Sequence, residues 1–70
     1  MNNIEAERGR HNFSKEALSR KLGITSKTYR SYVAGGDIPS NILVEMSNLF
    51  ACSIDYLLGL SDTRNPEKTA

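Results

Sequence analysis

The stretch Lys15-Glu16-Ala17-Leu18-Ser19-Arg20-Lys21-Leu22-Gly23-Ile24-Thr25-Ser26-Lys27-Thr28-Tyr29-Arg30-Ser31-Tyr32 decides the fold. Its apolar residues do not alternate as a strand requires. Leu18 and Leu22 lie one helical turn apart, and Tyr29, Tyr32 and Val33 recur at helical spacing. Ser14 precedes the stretch as an N-cap, and Glu16 sets a carboxylate against the positive end of a helix dipole. Gly23 tolerates a left-handed backbone and predicts the end of that helix. The next helix starts after Thr25 or Ser26 as its cap and runs to Ala34, where Gly35 and Gly36 stop it. With Leu18, Leu22 and Ile24 packed against Tyr29 and Tyr32, two helices cross steeply over a short glycine turn.

Working outward, a helix over Asn3–Arg10 has thin apolar content, Ile4 and Ala6, and Phe13 follows as an anchor onto the core. Beyond the Asp37-Ile38-Pro39 link, Ser40 is read as the cap of a helix whose stripe is Ile42, Leu43, Met46, Leu49 and Phe50. A last helix, capped by Ser53, turns Ile54, Leu57 and Leu58 inward and ends at Gly59. Five helices result: an all-α domain over residues 1–60 with a polar segment, 61–70, expected to be disordered. Seventy residues allow one small core.

Inward-facing tyrosines decide the rest of that second helix. Ser26, Lys27, Arg30 and Ser31 must then point outward, because steps of three and four residues stay on one face. Hydroxyls can reach phosphates or base edges, and Lys or Arg can donate to guanine O6 and N7. The helix starts add free backbone N–H groups suited to phosphate. Each of these side chains also has an ordinary reading as a solvated helix surface. Net charge is only +1, but residues 8–30 carry +6 while residues 31–62 carry −4. A basic face confined to the first half suits a phosphate-contacting surface, although charge runs are commonly just solvated.

Other chemistry is poorly supported. The single Cys52 can form no internal disulfide and reads as a small buried hydrophobe among Leu49, Phe50 and Ile54. His11 has no partner at ligand spacing, so no metal is expected, and no cofactor or small-molecule ligand is evident. No catalytic Ser/His/Asp, Cys/His or paired-carboxylate set is present, and no phosphate-cradling glycine loop, so an enzyme is not expected. The apolar runs are too short for a membrane span and no secretory signal opens the chain, which predicts a cytoplasmic protein.

Phe13-Ser14-Lys15-Glu16-Ala17-Leu18, Leu22-Gly23-Ile24-Thr25, Thr28-Tyr29-Arg30-Ser31-Tyr32, Gly35, Pro39-Ser40 and Ser53-Ile54-Asp55-Tyr56-Leu57-Leu58-Gly59 together carry a resemblance. Over roughly residues 4–60 the chain resembles the lambda-repressor-like, Cro/CI-type helix-turn-helix family. The resemblance implies a five-helix domain that binds a palindromic operator in double-stranded DNA as a homodimer. It implies groove-facing roles for Thr25, Ser26, Lys27 and Ser31. Ser14, Arg10 and Arg30 are candidates for phosphate. Lys15 stands where relatives often have a Gln bridging phosphate and base; Lys keeps the phosphate donor and loses the amide acceptor. Tyr56, Leu57 and Leu60 are candidates for a dimer contact or for simple core closure.

Three departures from the family pattern carry expectations. Many relatives pair an Arg on helix one with a Glu near the end of helix three. Here Arg8 keeps the Arg, but Val33 holds the Glu position, so Arg8 should be more exposed and free for phosphate or for Glu5. Glu7 replaces a usual apolar anchor, which predicts a loosely held first helix. Ser19 replaces a usual Ala and must bond to its own helix's carbonyls. The reading is a small transcriptional regulator, a repressor or Cro-like protein of a phage or mobile element. The alternative is a protein-interaction module of the same fold, an antitoxin or anti-regulator, whose outer face should be less basic. The segment with Pro66 suits a true C-terminus, without a separate sensing domain, or a linker into a longer protein.

Overall fold

Three hydroxyl caps start three of the helices. Ser14 Oγ accepts from Ala17 N at 3.0 Å, Thr25 Oγ1 from Thr28 N at 3.1 Å, and Ser53 Oγ from Tyr56 N at 3.1 Å. Each satisfies a backbone donor that a helix start leaves free. The computed structural model describes residues 1–65, in the order α1 (Ile4–Arg10), α2 (Lys15–Leu22), α3 (Ser26–Val33), α4 (Ser40–Phe50) and α5 (Ile54–Leu57). Among the described residues there is no strand. The all-helical, five-helix reading therefore holds.

The α2–α3 turn forms as its sequence dictates. Gly23 sits at φ 70°, left-handed, and Ile24 N returns to Ser19 O at 3.0 Å. Leu18, Leu22, Tyr29 and Tyr32 enter one core with Ile4, Ile42, Met46, Phe50, Cys52 and Leu57, and Phe13, Ile24 and Val33 pack around it. Each such side chain is worth about 1.5–3 kcal/mol when fully buried, a large share of what a small domain has. Ser19 is buried and donates to Lys15 O at 2.7 Å, the back-bond its position requires.

Apart from one-residue shifts at the start of α1 and the end of α3, one helix cap and one side-chain orientation differ from expectation. Ser40 is not the cap of α4; Pro39 is, with φ −58° and ψ 146°, and no side chain caps the start. The Pro39 carbonyl accepts from Ile42 N at 3.0 Å and Leu43 N at 3.1 Å, so the helix begins one residue early and Ser40 becomes its first member. Leu58 does not face inward. The four-residue α5 closes at Leu58, Gly59 turns left-handed at φ 81°, and the Leu58 side chain projects outward. Gly59 is also required sterically: a Cβ there would overlap the Met1 carbonyl.

The expectation of a loose first helix is overturned. Glu7 has no exposed surface, yet it is not an apolar anchor but an ionic one. Arg64 reaches it with Nε and Nη2 at 2.9 and 2.7 Å, Arg10 Nε lies at 3.1 Å, and His11 Nε2 at 3.4 Å. A buried carboxylate is tolerated only with charged, directional donors, here the two arginines. Burial alone would raise its pKa, but Arg64 and then Arg10 outweigh burial and hold it below the ordinary value. Arg64 also donates to Phe50 O at 2.9 Å, and its own carbonyl accepts from Ser53 N at 2.7 Å. Part of the polar segment expected to be free is thus packed on α1, α4 and α5; residues 66–70 of that expectation lie outside the described residues. The N-terminus is fastened as well, through Asn3 N to Leu57 O at 2.9 Å and Asn3 Nδ2 to Tyr56 O at 2.7 Å.

Candidate nucleic-acid interface

Tyr29 and Tyr32 are the pivots of α3. They are 1% and 7% exposed, so their rings fill the angle between α2 and the rest of the core. The opposite face follows: Ser26, Lys27, Arg30 and Ser31 are all exposed. Positions one and four residues apart on this helix share a broad side, so two hydroxyls and two cations form one polar strip. Thr25, at the start of α3, is exposed, but its hydroxyl already donates to Thr28 Oγ1 at 3.0 Å and accepts from Thr28 N. Ser14 is exposed too; its oxygen caps α2 while its proton is left to donate.

Lys15, the first residue of α2, is brought to α3. It borders a recess of about 270 Å³ together with Glu5, Tyr29, Arg30, Val33 and Ala34. The two helices of the turn thus present Lys15 and Arg30 on either side of one depression. Glu5 brings a negative charge to it, but Arg8 holds that charge in a two-pronged pair, Nε at 3.0 Å and Nη2 at 2.8 Å. The Arg8 guanidinium, more than any other group, lowers the Glu5 carboxyl to about 2, with the Tyr29 hydroxyl adding to the effect. Burial, then the hydrogen bond to Glu5, pushes the Tyr29 hydroxyl well above its ordinary value, so it stays protonated and donates. Arg8 therefore turns to the local acid, the alternative left open by the sequence, and its side chain is 23% exposed.

Arg10 is not brought to this surface. Residues two apart on a helix lie on nearly opposite sides, so Glu7 and Arg10 face Arg64 and Phe50 while Glu5 and Arg8 face α3. Of the candidate dimer residues, Leu57 has no exposed surface and closes the core. Tyr56 is half-buried, and Leu60 is 74% exposed beside the outward Leu58. Cys52 is buried as expected, and burial, reinforced by the Glu7 charge, raises its thiol pKa. His11 stacks near Phe50 with ring centres 5.3 Å apart. Sequence reasoning missed the role of Arg64 and the pairing of Tyr29 with Glu5. Neither has a local signal, since the partners lie far apart in the chain.

No helix among the described residues is long and apolar enough to cross a membrane. A sequence model of the helix-turn-helix family matches residues 4–57. An uncharacterized HTH-type transcriptional regulator of Bacillus subtilis, YobD, is 36% identical over 58 residues, which is 81% of this chain and 52% of that protein. The chain thus spans about half the length of the curated relative it matches. No solved structure matches it significantly.

Proposed function

Because this chain belongs to the helix-turn-helix family, we propose that it acts as a transcriptional regulator that binds double-stranded DNA and reads its sequence with α3 in the major groove. The observation that carries this reading is the division of α3: two tyrosines buried in the core, and Ser26, Lys27, Arg30 and Ser31 exposed on the other side. Lys27 and Ser31 are assigned to base edges, with Ser26 beside them. Lys15, Arg30 and Ser14 are assigned to phosphates, where a long cation or a hydroxyl donor fixes position without reading sequence. Thr25 contributes mainly by starting α3 in register. Arg10 is committed to Glu7 and serves the fold.

The finer reading is a phage or mobile-element repressor acting in the cytoplasm as a homodimer on a palindromic operator. The exposed Leu58 and Leu60, with the edge of Tyr56, supply the apolar surface for that dimer. Selection of bound sites from random duplex DNA tests function and symmetry together. The expected consensus is palindromic, with half-sites about 34 Å apart along the helix axis. Lys27→Ala should relax preference at one or two positions of each half-site, by about 1–3 kcal/mol per base pair. A pool that gains no consensus would remove the DNA reading. A consensus unchanged by Lys27→Ala would remove that residue from base readout.

A further inference from the structure

We propose that Tyr29, Glu5 and Arg8 form a positioning network that fixes the rotation of α3 on α2, and with it the register of Lys27 and Ser31 against base edges. The proposal rests on the DNA-binding reading for its consequence, but not for its geometry.

α3 packs chiefly on α2, and its Tyr29 and Tyr32 are buried in the shared apolar core. Burial of the two rings sets which face of α3 turns inward, but because apolar burial is non-directional it fixes the roll only coarsely. Direction comes from hydrogen bonds. Among the described residues, two reach α3 from the N-terminal part of the chain. The Tyr29 hydroxyl donates to Glu5 Oε2 at 2.5 Å, and Asn2 Nδ2 donates to the Tyr32 carbonyl at 2.9 Å. The first is charge-assisted, the stronger kind.

The acceptor in that bond is itself immobilised. Glu5 receives both prongs of Arg8, and the third guanidinium nitrogen, Nη1, donates to the Phe13 carbonyl at 2.7 Å. The chain of bonds therefore runs from the α1–α2 loop, through Arg8 and Glu5 on α1, to the ring of Tyr29 on α3. Arg8 has a second effect. Glu5 lines the same recess as Lys15 and Arg30, and the guanidinium cancels a negative charge that would otherwise oppose phosphate there.

Base readout requires donors held within about 0.5 Å and 10–20° of their geometry. Phosphate contacts by long, flexible cations tolerate more. Loss of the network should therefore erode discrimination between sequences and leave general affinity for DNA nearly intact.

Tyr29→Phe removes the hydroxyl and keeps the ring in the core. Two measurements are made on it and on the wild type. The first is the orientation of α3 relative to α2 in the free protein, from residual dipolar couplings of their amides. The second is the ratio of affinities for a selected site and for random duplex. The expected result is a changed α3 orientation and a ratio lowered about tenfold, with random-duplex affinity held within about twofold. A purely structural loss would instead lower both affinities together through the folded fraction. Glu5→Ala removes the acceptor with Tyr29 intact; it should reorient α3 in the same way and lower the ratio similarly. The double variant Tyr29→Phe/Glu5→Ala should lose no more than either. If Tyr29→Phe does not fold, Glu5→Ala decides the matter by the same two readouts. Couplings that superimpose on the wild type, or an unchanged ratio, overturn the proposal. If the wild-type chain selects no sequence, the DNA reading fails, and the couplings alone still decide whether this network sets α3.

Discussion

Glu7 is a carboxylate with no exposed surface in a domain that has only one core to spend on it, so the worth of its partners can be argued directly. Arg64 gives it two bonds and ties the same guanidinium to the Phe50 carbonyl. Removing one partner of a buried ion pair costs more than the pair is worth, because the remaining charge loses its compensation without regaining water. Arg10 stays behind to soften that loss. Arg64→Ala should therefore destabilise the domain by about 3 kcal/mol, at the lower edge of the usual penalty. Urea unfolding at neutral pH reads it. Replacing both groups, Glu7→Leu with Arg64→Leu, should return stability close to the wild type, since apolar packing commonly matches a buried ion pair. An Arg64→Ala loss below about 0.5 kcal/mol, the size of an exposed pair, would mean that Glu7 is not held by Arg64.

At the scale of a helix, the ends matter most, and the end of α4 is strained. Ala51 sits at φ 53° and ψ 49°, a left-handed conformation that costs an L-residue about 1–2 kcal/mol. The neighbouring bonds hold it there: Ser47 Oγ donates to Cys52 O at 2.6 Å and Cys52 N donates to Ser47 O at 3.2 Å. Ala51→Gly relieves the Cβ clash but frees the unfolded chain, so the net gain should be about 0.5–1 kcal/mol. A rise in thermal midpoint without loss of helix content is the expected measurement; a fall would show that the alanine methyl contributes packing that outweighs its strain. Helix ends also divide what was legible from what was not. Ser14, Thr25, Ser53 and Gly23 announced their boundaries because a hydroxyl or a missing Cβ satisfies a specific backbone need. Pro39 and Ala51 carry no such mark. One starts α4 through a carbonyl and the other ends it against its own preference, and only the packing of the whole chain forces either.

Across the molecule, the division of α3 into buried tyrosines and an exposed polar strip was legible because helical periodicity is a local property. The Arg8–Glu5 pair, three residues apart, was open to reading as well; the long-range contacts were not, because Glu5 meets Tyr29 and Glu7 meets Arg64 only after the chain has folded back on itself. Helical spacing puts Glu5 and Glu7 on nearly opposite sides of α1, but it could not show which distant partner each side meets. That arrangement gives the whole domain a pH dependence. Folding lowers the Glu5 carboxyl from 4.5 to about 2 and lowers that of Glu7 as well. A carboxylate whose pKa is depressed by folding contributes stability that is complete above its unfolded value and is lost as pH falls through the folded one. Stability should therefore decline on acidification from about pH 4.5 towards pH 2, the window bounded by the two values for Glu5. Urea midpoints taken stepwise from neutral to acid pH check it, and the Glu7→Leu/Arg64→Leu variant separates the two groups. That variant retains the Glu5 pairing alone, so its decline should be shallower. Midpoints that stay level through this window would mean that both carboxylates are paired equally well in the unfolded chain, and the two ion clusters would then add nothing to the fold.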